Sequence, residues 1–146
     1  TFMTLLLNLT IFFIFLAIFK PELHISFFLL PFELLVLFFL SLGLSLLLSA
    51  FYVKFRDLSH IWEIILMVGF WLTPIIYPFS FIPPQFHQLV YLNPMARIIG
   101  DSRLAVISST FPALRYTFFT VLCVIVLFVI GLYFFKRRSV RFAEEI

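Results

Sequence analysis

The sequence predicts an all-α integral membrane protein, a single transmembrane domain in which four helices span the bilayer. Four apolar runs, at about residues 3–19, 27–53, 60–79 and 117–135, take up most of the 146-residue chain. A hydrocarbon core of roughly 30 Å requires about 20 helical residues at about 1.5 Å each, and every run meets or approaches that length. Hydrophobic residues make up 64% of the chain and charged residues 12%, a balance that leaves a soluble domain with too much exposed apolar surface.

The apolar runs have the pattern of lipid-exposed helices. Residues 116–135 contain no polar stripe at helical spacing, which a core helix of a soluble protein would show. They also lack the alternation of polar and apolar residues that is typical of barrel strands. A helix satisfies its backbone hydrogen bonds within its own segment, as lipid requires, so each run is predicted to be a helix.

The first run follows almost directly on Thr1, without the basic segment and small-residue cleavage site of a secretory signal. We therefore expect a span, in a chain that lacks its N-terminal part.

The second run contains Pro31, which is tolerated in a first helical turn, so the helix is expected to begin there. Glu33 is interpreted as a snorkelling or capped carboxylate near the outer interface, or alternatively as a functional ion site. Small residues farther along predict a helix–helix contact: Ser41, Gly43, Ser45 and Ser49.

The third run lies between a charged turn and a proline-rich segment. Arg56 and Asp57 precede it, and two interpretations remain open: the turn transmits movement into the membrane, or Arg56 anchors the chain while Asp57 caps the next helix. Beyond Leu72 an uninterrupted helix is not expected, because prolines break it. These prolines are Pro74, Pro78, Pro83 and Pro84.

Two short helices are predicted in the outer loop at about residues 83–112. Asn93 and Pro94 separate them as a helix cap and a first-turn proline. Both are too short and too polar to span, which favours a re-entrant or interfacial pair before the last span. Arg97 and Asp101, four residues apart on the second of these helices, can form a salt bridge on one face.

The tail at residues 136–146 is predicted to be cytoplasmic. Lys136, Arg137 and Arg138 stand directly at the end of the last run, where positive charge orients a span most strongly. The outer loop then lies on the opposite side of the membrane.

With these features in this order along the sequence, the chain resembles the permease subunit of type 2 ABC exporters. The resemblance is to the branch that exports polysaccharides such as O-antigen, capsule or teichoic acid. The resemblance rests on an ordered series: residues 43–58, which end in Phe-Arg-Asp-Leu, Thr-Pro-Ile-Ile-Tyr at 73–77, Ile-Pro at 82–83, Leu-Asn-Pro-Met at 92–95, and Arg103. It extends over nearly the whole chain.

The resemblance implies a multi-pass permease of the cytoplasmic (inner) membrane. The four spans would be the last four of a six-span protein, with a cytoplasmic amphipathic helix, two spans and the main ATPase-docking loop in the part that precedes this chain. Its implied partners are a second permease copy, a separate nucleotide-binding ATPase and a glycan or lipid-linked glycan, but no nucleic acid. ATP would bind the partner, since the chain has no Gly-rich phosphate loop, and neither a cofactor nor a metal is expected on this chain.

Aromatic side chains collect around the outer end of the third run. A glycan presents hydroxyls and flat C–H faces, which aromatic rings and a few hydrogen-bonding groups can accommodate. The candidates for a substrate pathway are Trp71, Tyr77, Phe79, Phe81 and Tyr91. The competing interpretation is that they are interfacial anchors, as Trp and Tyr are in many membrane proteins.

Three other functions compete with glycan export as interpretations of the sequence. An exporter of drugs or small hydrophobic compounds would share the fold. An integral-membrane enzyme acting on lipid-linked sugars would need converging acidic, His or Lys residues, whereas the acidic residues here are scattered. A channel or secondary transporter would usually carry a charged residue at mid-membrane depth, which the four runs lack.

Overall fold

The computed structural model describes residues 2–19, 25–52, 55, 57–77, 79–108 and 110–142, and within these ranges the regular structure is helical. The α-helices are α1 (Phe2–Phe19), α2 (Leu29–Tyr52), α3 (Leu58–Leu72), α4 (His87–Leu92), α5 (Pro94–Arg103) and α6 (Leu114–Phe142). Short 3-10 turns occur at Ile25–Phe28, Phe79–Phe81 and Pro84–Phe86, and a π-helical turn follows α5 at Leu104–Ser108. The predicted all-α class is confirmed.

Two segments are long and apolar enough to cross a membrane: Ile25–Tyr52 and Leu114–Arg138. Only 22% and 17% of their most apolar windows are buried inside the protein, so most of their apolar surface faces outward, as lipid-exposed helices require. Leu7–Phe19 and Leu58–Leu72 are shorter apolar helices. The predicted count of four spans is therefore not confirmed.

α3 ends at Leu72, the residue beyond which the prolines led us to expect no uninterrupted helix, although its apolar run continues to about residue 79. Thr73 adopts an extended conformation, as the residue before a proline tends to do, and the helix stops at Leu72. With 15 residues at about 1.5 Å each, α3 is roughly 22 Å long.

The core of the fold is the pair formed by α2 and α6. From Leu30 to Gly43 the buried residues of α2 recur at intervals of three or four, and they include Val36 and Leu40. The two backbones touch at a pair of glycines: a Cβ atom added to Gly131 would lie 2.6 Å from the carbonyl oxygen of Gly43. Ile98 of α5 completes the cluster around Val36 and Leu40, so α5 is packed onto this pair.

Of the small residues predicted to form a helix–helix contact, Gly43 lies where α2 meets α6. Ser41 and Ser45 are exposed, and Ser41 donates to the carbonyl oxygen of Phe38 at 2.8 Å. They differ from Gly43 by two positions, which places them on other sides of the helix. The close approach depends on one glycine from each helix, and the exposed Ser41 and Ser45 do not contribute to it.

At the other end of the pair, Arg138 joins α6 to α2. Its Nη1 donates to the carbonyl oxygen of Ala50 at 3.0 Å, and its guanidinium lies 4.9 Å from the centroid of the Phe51 ring. A carbonyl in the last turn of α2 is thereby bound by the neighbouring helix.

Three local expectations differ from the structure. α2 begins at Leu29, so Pro31 lies within its first turn and does not start it. Glu33 is 3% exposed and does not snorkel to an interface. Asp57 occupies the N-cap position of α3, but its side chain makes no capping hydrogen bond. Arg56, the other residue of the predicted coupling turn, lies outside the described residues.

Candidate functional site

The segment between α3 and α6 is held together by hydrogen bonds from Asn93 and Arg103. The Asn93 side-chain oxygen Oδ1 accepts from the Met95 backbone N–H at 3.0 Å and caps α5, while the side-chain amide nitrogen donates to the Thr73 hydroxyl at 3.1 Å. The Arg103 guanidinium donates to the carbonyl oxygen of Ile75. The broken end of α3 is thus joined to both ends of α5.

A buried ion pair on α5 is hydrogen-bonded to α6. Arg97 Nη2 lies 2.9 Å from Asp101 Oδ1 and 3.3 Å from Oδ2, and the Thr117 hydroxyl donates to Oδ2 at 3.2 Å. Asp101 is 1% exposed, so the carboxylate is almost completely removed from water. This burial raises the pKa of Asp101 above its usual range, while the nearby Arg97 charge and the Thr117 hydroxyl act in the opposite direction.

Aromatic rings surround the charged end of Arg97. Its guanidinium carbon lies 5.2 Å from the Tyr91 ring centroid and 5.0 Å from that of Tyr116, within cation–π range. The two tyrosine rings are nearly parallel, with centroids 5.9 Å apart. Phe79 extends this aromatic group, 4.9 Å from Tyr91 and 4.6 Å from His87.

A cavity of about 630 Å³ opens beside this group, within the ~300–1,000 Å³ typical of ligand sites. Its wall combines aromatic rings, aliphatic side chains and a few polar groups. The aromatic and charged lining residues are Tyr77, Phe79, Tyr91, Arg97, Asp101 and Arg103. Such a wall can stack against a flat C–H surface and hydrogen-bond to hydroxyl groups. We call it the outer cavity.

The structure brings together three of the five aromatic candidates for the pathway. Tyr77, Phe79 and Tyr91 line the outer cavity. Trp71 and Phe81 are 63% and 77% exposed and are not among the described lining residues. Trp71 still contacts the site through its backbone, because its carbonyl oxygen accepts from the Tyr77 hydroxyl at 2.8 Å.

The sequence analysis did not identify the contribution of α6. Tyr116 and Thr117 reach Arg97 and Asp101 from the first turn of that helix. Their only signal in the sequence is that they are polar residues at the start of an otherwise apolar run. Nothing in the linear pattern related that position to a helix 16 residues earlier.

A model of the ABC-2 type transporter family matches residues 1–104. Two proteins of Klebsiella pneumoniae, each described as the O-antigen export system permease protein RfbA, are 33% and 30% identical over 106 residues, covering 71% of this chain and 40% of each relative. A protein of the same description from Myxococcus xanthus is 29% identical over 128 residues, covering 86% of this chain and 48% of the relative. The chain thus spans less than half the length of these curated relatives.

Proposed function

The chain belongs to the ABC-2 type transporter family, and from that premise we propose that it forms part of the membrane permease of an ATP-driven exporter. The exported substrate is polysaccharide or lipid-linked glycan, and the membrane is the cytoplasmic one. The observation that carries the proposal is the outer cavity, whose tyrosine rings and buried charged groups are suited to sugar hydroxyls and C–H faces. The similarity to O-antigen export permeases supports the same substrate class.

The proposal includes two kinds of partner protein. ATP hydrolysis takes place on a separate nucleotide-binding subunit, and a second copy of the permease completes the path. The surface of α3 supports the second copy, because this apolar helix has no buried residue within the described chain. Contiguous exposed apolar surface of this kind is covered either by lipid or by another subunit.

The proposed topology has all four apolar helices in the bilayer and the tail in the cytoplasm. Lys136, Arg137 and Arg138 support this orientation, because positive charge next to a span favours the cytoplasmic side. The turn before α3, with Arg56 and Asp57, then faces the ATPase, and the outer cavity opens on the opposite side. Movement of the turn would reach the cavity through α3 and the Thr73–Asn93 hydrogen bond.

We expect the full-length protein, affinity-purified from its native membranes, to bring with it a nucleotide-binding ATPase. The activity of that ATPase should depend on the permease and rise several-fold when lipid-linked glycan is supplied. Stimulation by small hydrophobic compounds, with no response to glycan, would instead identify a drug exporter. Isolation of the permease without any ATPase would contradict the proposal.

Removing a ring from the wall of the outer cavity is expected to lower glycan export. Tyr77→Ala and Tyr91→Ala each delete an aromatic face, and aromatic contacts contribute roughly 0.5–1.5 kcal/mol, so a several-fold fall in export rate is expected for each. The measurement is surface glycan per permease molecule, with the permease quantified in the membrane.

The matched control is Tyr133→Ala, which removes a half-exposed tyrosine from α6 outside the cavity wall. Its export rate should stay near that of the unchanged protein. Tyr77→Phe and Tyr91→Phe keep the rings and should retain most of the activity. Normal export by both alanine variants, at normal permease levels, would remove these tyrosines from the pathway and favour their interpretation as anchors.

A further inference from the structure

A second cavity, of about 390 Å³, lies between α1, α2 and α5. Its wall is almost entirely aliphatic and aromatic, with contributions that include Phe12 and Phe13 of α1 and Leu34 of α2. α1 packs only loosely against the rest of the fold, which leaves the groove between α1 and α2 open. We call this space the side groove.

Glu33 is the unusual member of the wall of the side groove. Its side chain is 3% exposed, and Oε1 has no hydrogen-bond partner among the described residues. A buried carboxylate oxygen without a donor is strongly unfavourable, so an external donor at this place would stabilise the protein. The groove is therefore more than an apolar surface: it contains an unsatisfied acceptor.

Arg103 supplies the second charge of the side groove, while its guanidinium also donates to the Ile75 carbonyl oxygen and lines the outer cavity. Among the described lining residues, Glu33 and Arg103 are the charged ones, and Ser102 adds a hydroxyl. A ligand that complements this wall needs an apolar chain, one cationic N–H donor and one anionic group. A polyprenyl diphosphate has the chain but brings several negative charges toward Glu33 and no cation, so its charge does not fit.

We propose that the side groove binds a phospholipid with a primary amine in its head group, such as phosphatidylethanolamine. The ammonium donates to Glu33, the phosphate pairs with Arg103, and an acyl chain fills the space between α1 and α2. The amine is the discriminating group, because the quaternary ammonium of phosphatidylcholine has the same charge but no N–H to donate. The lipid would be a structural ligand of the permease, at a site that adjoins the outer cavity and shares Arg103 with it.

The test is competitive lipid retention by the full-length protein in detergent. The delipidated protein is exposed to equal amounts of phosphatidylethanolamine, phosphatidylcholine, phosphatidylglycerol and a polyprenyl diphosphate, and the lipids that stay bound are counted by native mass spectrometry. We expect at least a threefold preference for phosphatidylethanolamine over each of the others. Equal retention of the ethanolamine and choline lipids, or preferential retention of the polyprenyl diphosphate, would overturn the proposal.

Two substitutions locate the lipid. Glu33→Leu removes the acceptor of the ammonium N–H and should bring the preference over phosphatidylcholine close to one. Leu34→Trp fills the side groove and should abolish specific retention, whereas Leu35→Trp should not, because Leu35 is similarly exposed but outside the described wall. A preference that survives in Leu34→Trp would place the lipid elsewhere. If either groove variant does not fold, the four-lipid competition on the unchanged protein still decides whether phosphatidylethanolamine is bound preferentially.

Discussion

Replacing Gly131 with alanine is expected to destabilise the folded protein by about 1–3 kcal/mol, the usual penalty for overpacking a tight contact. The added Cβ would lie 2.6 Å from the Gly43 carbonyl oxygen, so the α2 and α6 backbones must move apart. That separation would also weaken the neighbouring Phe39–Phe128 ring contact, whose centroids are now 5.4 Å apart. The change is measured as the free energy of unfolding in mixed micelles titrated with denaturing detergent.

The control for this experiment is Gly69→Ala on α3. A Cβ atom at Gly69 would have nothing within 4 Å, so the substitution adds no clash. It should be neutral or slightly stabilising, because alanine is preferred over glycine inside a helix by roughly 0.5–1 kcal/mol. Equal stabilities for the two variants would show that α2 and α6 do not meet at their glycines.

Replacing Asp101 with asparagine is expected to have a larger effect, a loss of about 3 kcal/mol or more, because it leaves the buried Arg97 charge without its partner. The shape of the side chain is kept, so the loss reports on charge. Export should fall with stability, since Arg97 and Asp101 both line the outer cavity. The readouts are the same unfolding titration and the amount of folded permease in the membrane.

An exposed contact between a histidine and a glutamate provides the comparison. Glu63 lies 4.0 Å from His60, with a side chain that is 76% exposed, so Glu63→Gln should change the stability very little. The double substitution Arg97→Met with Asp101→Leu should recover much of the stability lost in Asp101→Asn, because two apolar groups replace a buried pair without leaving a charge. If the Asp101→Asn and Glu63→Gln variants had the same free energy of unfolding, the structural role of the Arg97–Asp101 ion pair would be refuted.

The sequence is most informative where local chemistry decides the structure. Apolar run length predicted the helices, and the proline after Thr73 predicted the end of α3 at Leu72. The Asn93–Pro94 pair predicted the start of α5, because an amide side chain can cap a helix whose first residue needs no N–H donor. Each of these features depends on residues within one or two turns of each other.

Features that depend on distant residues could not be predicted. The four-residue spacing placed Arg97 and Asp101 on one face, but the third member of that network, Thr117, comes from another helix. Glu33 was interpreted from its position near a helix end, whereas its burial follows from how α5 packs on α2. In the same way, a serine and a glycine look equally suited to a helix contact until the direction of the neighbouring helix is known.

The early end of α3 has a consequence for the energetics of transport. In the proposed topology, a helix of roughly 22 Å is about a quarter shorter than a hydrocarbon layer of about 30 Å, and the proline-rich segment beside the outer cavity would make up the remaining depth. A glycan moving alongside α3 would therefore have fewer sugar units dehydrated at any one moment. Since each hydroxyl withdrawn from water without a partner carries a penalty of roughly 1–3 kcal/mol, a thinner dry zone lowers the barrier to threading a long polymer.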